Sequence, residues 1–170
     1  MQTLYDIITV PDPVLKSRAH EVQTIDDEIK AQMAAMKTTM AEYSGIGLAA
    51  NQVNKCNRVI VCNVPEGAWR YGAQEDGVTR VETQTPEDTG TPLAMANPDI
   101  VWSAESRSVY EEGCLSIPGQ FADIIRPAHV RVAYIDENGE QQEMEGEGLL
   151  AHCLQHEIDH LNGVLFYDYL

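Results

Sequence analysis

Positive charge is scarce in this chain: 11 Lys and Arg stand against 27 Asp and Glu over 170 residues, a formal net charge of -16. So acidic a surface repels phosphate backbones and anionic lipid, which argues against direct nucleic-acid binding and membrane association. No apolar run approaches the roughly 18 residues of a membrane span. The amino end carries Asp6 before its first cation, Lys16, so no signal peptide is expected and the compartment is read as cytoplasmic. Internal repeats and low-complexity tracts are absent. The four cysteines, Cys56, Cys62, Cys114 and Cys153, are read as buried reduced thiols or metal ligands, because a cytosolic chain with an adequate core has no need of disulfides. What is present is ordinary globular material, 44 % hydrophobic and 22 % charged, and the length suits one domain covering residues 1–170.

The coarse elements follow from pattern. Residues 1–23 read as an irregular arm, since Pro11-Asp12-Pro13 blocks helix while Leu4, Ile7, Ile8, Val10, Val14 and Leu15 offer apolar anchors. Thr24 is the expected cap of an amphipathic helix whose stripe is Ile29, Met33, Met36, Met40 and Tyr43, with its stop at Ser44-Gly45. A strand is expected at 59–64. Residues 65–92 turn rich in Gly, Pro, Thr and acid, and are read as a surface insertion or hairpin. Short strands follow at 98–103, 108–111, 121–126, 129–135 and 140–145, the last two joined at Asn138-Gly139. Residues 149–161 have helical periodicity and close at Asn162-Gly163. The fold class expected is α+β, mainly antiparallel β-sheets packed around a C-terminal helix, plus one N-terminal amphipathic helix.

The last helix carries the chemistry, in the run His156-Glu157-Ile158-Asp159-His160. Spacing of i and i+4 sets His156 and His160 one turn apart on one face, where two imidazoles can reach one metal ion and Glu157 can take a proton from water there. A catalytic metal needs a third protein ligand. In an extended H-E-x-x-H-x-x-G-x-x-H pattern the final position would be Phe166, which binds no metal, and the ten residues after His160 are too few for a distant downstream glutamate. His152 stands one turn before His156, but eight residues of helix, a rise of about 12 Å, separate it from His160, so the three cannot share an ion. The third ligand must come from upstream, among His20, His129, Cys56, Cys62 and Cys114. Cys114 is the best placed, because Gly113 permits a bend that could present its thiolate.

Three blocks together resemble peptide deformylase: Gly45-Ile46-Gly47-Leu48-Ala49-Ala50-Asn51-Gln52, Glu112-Gly113-Cys114-Leu115-Ser116, and Gln155-His156-Glu157-Ile158-Asp159-His160-Leu161. The resemblance implies that Cys114, His156 and His160 bind one divalent metal ion, Fe(II) in the cell, replaceable by zinc, nickel or cobalt. It implies that Glu157 is the general acid/base, and that the Gln52 side chain and Leu115 N–H stabilise the oxyanion. Ile46, Gly47 and Gly113 would contact substrate. Leu149, His152 and Cys153 would line a methionine pocket, with His152 adding a polar group to an apolar wall and loosening its preference. The reaction implied is removal of the formyl group from N-formylmethionyl nascent peptides, with release of formate; a metallopeptidase is the rival reading. The enzyme is expected to be a monomer. Members of that family usually continue into a C-terminal helix that helps docking on the ribosome, and with the chain ending at Leu170 such docking is expected to be weaker. Arg126 is expected to pair with Glu112 or Asp159 and so to brace the ligand-bearing segments.

Overall fold

A strand that is apolar at every position needs cover on both faces, and the segment Val59–Cys62 receives it. In the computed structural model, which describes residues 4–170, the chain forms α1 (Asp27–Glu42), β1 (Gly47–Ala49), β2 (Val59–Cys62), β3 (Trp69–Glu75), β4 (Val78–Thr83), β5 (Leu93–Ser103), β6 (Arg107–Cys114), β7 (Ile117–Pro127), β8 (His129–Ile135), β9 (Gln141–Glu147) and α2 (Gly148–Leu161). Single 3₁₀ turns lie at Pro13–Lys16, Ala50–Val53 and Phe166–Tyr169. A five-stranded sheet has the order β1-β2-β5-β8-β9, and a four-stranded sheet the order β3-β4-β6-β7.

The five-stranded sheet separates two layers of core. Ile60, Cys62, Met95, Val130 and Val132 point to α2, where they meet Ala151, Cys153, Leu154, Ile158 and Leu161. The alternate residues Val59, Val61, Ala94 and Ala96 point to α1, whose Met33, Met36 and Met40 fill that side. Period-two alternation thus explains why β2 has no polar face. The predicted methionine stripe is core packing. Helix α2 also touches the four-stranded sheet, so it lies between the two.

The α+β class and both helices agree with the sequence reading, and several boundaries differ. The side chain that caps α1 is Asp26 rather than Thr24: Asp26 Oδ1 accepts from Ile29 N–H at 2.9 Å, so the helix begins at Asp27. Strand β5 starts at Leu93 instead of 98, because Asn97, in the left-handed region at φ 49°, is absorbed as a bulge. Its side chain bonds both the N–H and the carbonyl of Val22 at 2.8 Å. Strand β7 likewise starts at Ile117, taking in Pro118 and Gly119. Between residues 65 and 92 the chain forms the β3–β4 hairpin, turning at Asp76-Gly77, both at positive φ. Strand β4 then pairs in parallel with β6, which builds the hairpin into the sheet. Of the arm, residues 1–3 lie outside the described residues. Its remainder is tied down by Ile8 N–H to the Gln52 carbonyl at 2.7 Å and Val10 N–H to the Ser116 carbonyl at 2.9 Å.

Candidate metal centre and substrate cleft

Strand β6 runs beside α2, and the meeting of the two brings Cys114 to the paired histidines. Cys114 Sγ lies 3.3 Å from His160 Nε2, which lies 3.2 Å from His156 Nε2. All three donor atoms are within 4.8 Å of one another. Of the five upstream candidates the fold brings Cys114 to the pair, whereas His20 sits beside Asn57 and His129 beside Glu145. Both histidines are buried.

The group fits a metal on its own chemistry. Two buried imidazole nitrogens 3.2 Å apart cannot both donate or both accept, so the pair needs a shared proton or a shared cation. Burial lowers His156, but the Glu157 charge and contacts with Cys114 and with Glu112, which accepts from Nδ1, outweigh it and hold the imidazole well above its usual range. Burial, with His156 opposite, pushes His160 well below it. Separations of 3.2 to 3.3 Å also suit donors that share one ion through bonds of about 2.0–2.3 Å.

Behind the ligands lies one carboxylate with all four acceptor positions used. Glu112 is 2 % exposed. Its Oε1 accepts from His156 Nδ1 and Arg126 Nη2, each at 2.9 Å, and its Oε2 from His152 Nδ1 at 2.8 Å and Arg126 Nε at 2.6 Å. Burial opposes its charge, but these donors prevail and hold it far below the ordinary carboxylate range. Arg126 also donates through Nη1 to Asp159 Oδ2 at 2.9 Å. The expected brace therefore exists, with Arg126 joining β6 to α2 through both of the named carboxylates.

In front of the ligands opens a cleft of about 640 Å³. Ile46, Gly47, Gln52, Gly113, Leu115, Cys153, Glu157 and two of the three candidate ligands, Cys114 and His156, all line it. A Cβ on Gly47 would stand 2.5 Å from Glu157 Oε2 and 2.8 Å from Cys153 Sγ, so only glycine lets this strand pass so close to the carboxylate. Cys153 Sγ contacts the Ile46 carbonyl at 3.4 Å and so keeps that strand on α2. Glu157 is 5 % exposed, and its Oε1 has no hydrogen-bond partner among the described residues. Burial pushes its carboxyl up to about 7, where a carboxyl can both take and return a proton. Gln52 Oε1 accepts from Ala49 N–H at 2.9 Å, which turns Nε2 toward Ser116 Oγ at 3.0 Å and Cys114 Sγ at 3.4 Å.

Two expectations need correction. Leu149 does not line the cleft; it is buried at 2 % exposure, because its turn of α2 precedes the part of the helix that faces the opening. His152 does border the cleft, but neither nitrogen is presented there: Nδ1 is held by Glu112 and Nε2 lies 2.9 Å from Ser108 Oγ. The polar wall atom expected from the sequence is absent, and with it the reason for a loosened pocket. Sequence reasoning gave no role to Asn51 and Ser116, although both stand in the blocks quoted above, and missed Ser108. Asn51 Nδ2 donates to the carbonyls of Ser17 and His160 at 3.0 and 2.8 Å, fixing the end of α2 that carries His160. Their roles were not readable from the local pattern, since each partner is distant in the chain.

The comparisons agree with this geometry. The family model described as polypeptide deformylase matches residues 4–170. The peptide deformylase of Rhizobium meliloti (strain 1021) is 46 % identical over 168 residues, covering 99 % of this chain and 86 % of that protein. The crystal structure of peptide deformylase from Ehrlichia chaffeensis is 40 % identical with a TM-score of 0.84, over 99 % of this chain and 88 % of that one. A Met-Ala-Ser-bound crystal structure of peptide deformylase from Acinetobacter baumannii is 29 % identical, with a TM-score of 0.81 over 100 % of both chains. The chain belongs to the polypeptide deformylase family. It is a hydrolase that removes the N-terminal formyl group from formylmethionyl peptides of newly made proteins and releases formate, which sets the metallopeptidase reading aside. The family is metal-dependent, and Cys114, His156 and His160 are the group that can hold the ion here. No helix among the described residues is long and apolar enough to cross a membrane.

Proposed function

We propose that Cys114, His156 and His160 hold a single divalent ion, Fe(II) in the cell, and that Glu157, Gln52 and Leu115 carry the hydrolysis. The convergence of one thiol and two imidazoles on one point beside the unpartnered Glu157 carries the reading. When bound, the ion would act as a Lewis acid and make water a stronger nucleophile. Zinc, nickel or cobalt could replace iron in such a donor set. Glu157 takes the proton of the hydrolytic water and returns it to the amide nitrogen as the carbon–nitrogen bond breaks. The formyl oxygen, negative in the tetrahedral state, receives hydrogen bonds from Gln52 Nε2 and the Leu115 N–H. Ile46, Gly47 and Gly113 offer backbone to an extended peptide, and Cys153 with the ring of His152 borders the first side chain. The Met-Ala-Ser bound by the Acinetobacter baumannii relative is a peptide of this kind. The same reading has the enzyme act as a cytoplasmic monomer on chains emerging from the ribosome, without membrane or nucleic-acid contact.

The test is anaerobic purification, metal analysis and formate release from a formyl-Met-Ala-Ser peptide. One equivalent of iron and stoichiometric formate are expected, with no cleavage of unformylated peptides. In air the iron form should lose activity while nickel or cobalt forms persist, because Fe(II) beside a thiolate is open to oxidation. Equal decay of all forms would refute the assignment of iron.

A further inference from the structure

Strand β6 and helix α2 face each other along a ladder of polar contacts that begins well before the ligands. Ser108 and Glu112 are four residues apart on one face of β6, and His152 and His156 are four apart on one face of α2. Four strand residues rise about 13 Å and four helix residues about 6 Å, so the two series do not keep step: His152 meets both Ser108 and Glu112, and His156 meets Glu112. The Glu112 carboxylate takes one imidazole on each oxygen: His156 on Oε1 and His152 on Oε2.

We propose that His152 is a positioning residue for the metal site, setting the His156 imidazole through Glu112 and itself held by Ser108. The proposal rests on His156 being a metal ligand. Both Glu112 contacts call for Nδ1–H on the histidines. In His156 this leaves Nε2 as the atom that faces His160 and the ion. In His152 it leaves Nε2 to accept the Ser108 hydroxyl. Ser108 is fully buried, and His152 is 1 % exposed. Two such polar groups would be costly in an apolar wall if they did not satisfy each other. The Tyr110 ring lies edge-on to His152 at a centroid distance of 5.7 Å, and both rings border the cleft.

Removing His152 would leave one lone-pair position of Glu112 Oε2 empty. The carboxylate, with Arg126 its one other partner on that oxygen among the described residues, would then twist and carry the His156 ring with it. Outer partners of ligand histidines are worth about 10–100-fold in metal affinity. As His152 acts one step further out, the lower figure, about tenfold, is expected.

The test loads the metal-free full-length chain with Co(II) alone, reading affinity and the ligand-field and thiolate charge-transfer bands. Wild type, His152→Ile, His152→Asn, Ser108→Ala and His156→Ala are compared, with melting of each metal-free form. His152→Ile should bind Co(II) about tenfold more weakly with shifted bands. His152→Asn, which keeps an N–H near the position of Nδ1, should restore most of the affinity although it also lacks the ring. Ser108→Ala, which keeps the ring but frees its far nitrogen, should shift the bands in the same direction by less, and it decides the matter should His152→Ile fail to fold. Wild-type affinity and bands in both His152→Ile and Ser108→Ala would overturn the proposal. So would equal losses in His152→Ile and His152→Asn, because ring packing would then be the cause. Wild-type Co(II) binding by His156→Ala would instead refute the ligand reading on which the proposal rests.

Discussion

Arg126 is the sharpest place to test whether the site is held together electrostatically. It is 4 % exposed and spans Glu112 on β6 and Asp159 on α2. Arg126→Met keeps much of the side-chain volume and removes three charge-assisted hydrogen bonds, the two to Glu112 and the one to Asp159. The two carboxylates differ in what they lose. Asp159 keeps 21 % side-chain exposure and a hydrogen bond from the Tyr169 hydroxyl at 2.7 Å, so water and that hydroxyl offset much of its loss. Glu112, with 3 % side-chain exposure, is left as a buried anion with two imidazole donors among the described residues. Breaking one side of a buried pair costs about 3–5 kcal/mol. At about 2–4 °C per kcal/mol for a chain of this size, thermal unfolding should move down by roughly 10 °C. Urea unfolding of metal-free and metal-loaded protein gives the free energy directly. Arg126→Lys should recover less than half, because an ammonium cannot reproduce the fork that meets both Glu112 oxygens. Adding Glu112→Gln to Arg126→Met should recover part of the loss by removing the unpaired charge, giving a coupling energy above about 1 kcal/mol. A loss below about 1 kcal/mol for Arg126→Met, or no coupling, would refute the argument.

Three further outcomes follow from the same geometry. Glu157→Gln should keep its metal yet lose at least about 100-fold in turnover, since the amide cannot take a proton; full metal and near wild-type formate release would remove Glu157 from the mechanism. Gly47→Ala sets a methyl group where the Glu157 carboxylate now lies, at 2.5 Å. A shift of about 1 Å in that group should lower kcat on the order of 100-fold with metal content unchanged, and a wild-type rate would show that the carboxylate is free to move. Asp168 is depressed below its usual value because hydrogen bonds from Lys16 Nζ and the Leu165 N–H outweigh the opposing effect of burial. A carboxyl depressed on folding contributes stability that is complete above its unfolded pKa and lost as pH falls through the folded one. Hydrogen-exchange protection of the Phe166–Tyr169 turn should therefore fall below about pH 4, and Asp168→Asn should remove most of that dependence.

What could be read from sequence was what lies close in sequence. His156 and His160 are one helical turn apart, so helix periodicity alone set them on one face, and the same rise arithmetic kept His152 off the ion, as its contacts with Glu112 and Ser108 agree. The Asn138-Gly139 turn and the β8–β9 hairpin were legible for the same reason. The strands expected at 98–103 and 121–126 start too late, since Asn97 and Pro118-Gly119 have chemistry that favours turns. Only the finished fold shows a bulge secured by Val22 and a strand pair that accepts proline and glycine near its start. The cap of α1 failed on a finer point, since both Thr24 and Asp26 are good cap residues and the choice depends on which side chain reaches Ile29 N–H.

The surroundings of the third candidate ligand lie beyond that horizon. Sequence favoured Cys114 among the upstream thiols and imidazoles for the bend Gly113 permits, but its contact with His160 follows only once β6 runs beside α2. The sign of His152 was misjudged for a related reason. A helical side chain covers surface toward the amino end of its helix, which carries this ring away from the ligands and toward Ser108, 44 positions upstream. A polar residue on a pocket-facing helix therefore reads as a polar wall until its distant acceptors are known. Arg126 was easier, because in a chain with only 11 cations among 27 acids an arginine next to a strand-ending proline has many carboxylates to choose from. Naming Glu112 and Asp159 meant choosing those next to the proposed ligands, and a pair that braces ligand-bearing segments must lie there for the fold to deliver three donors to one point.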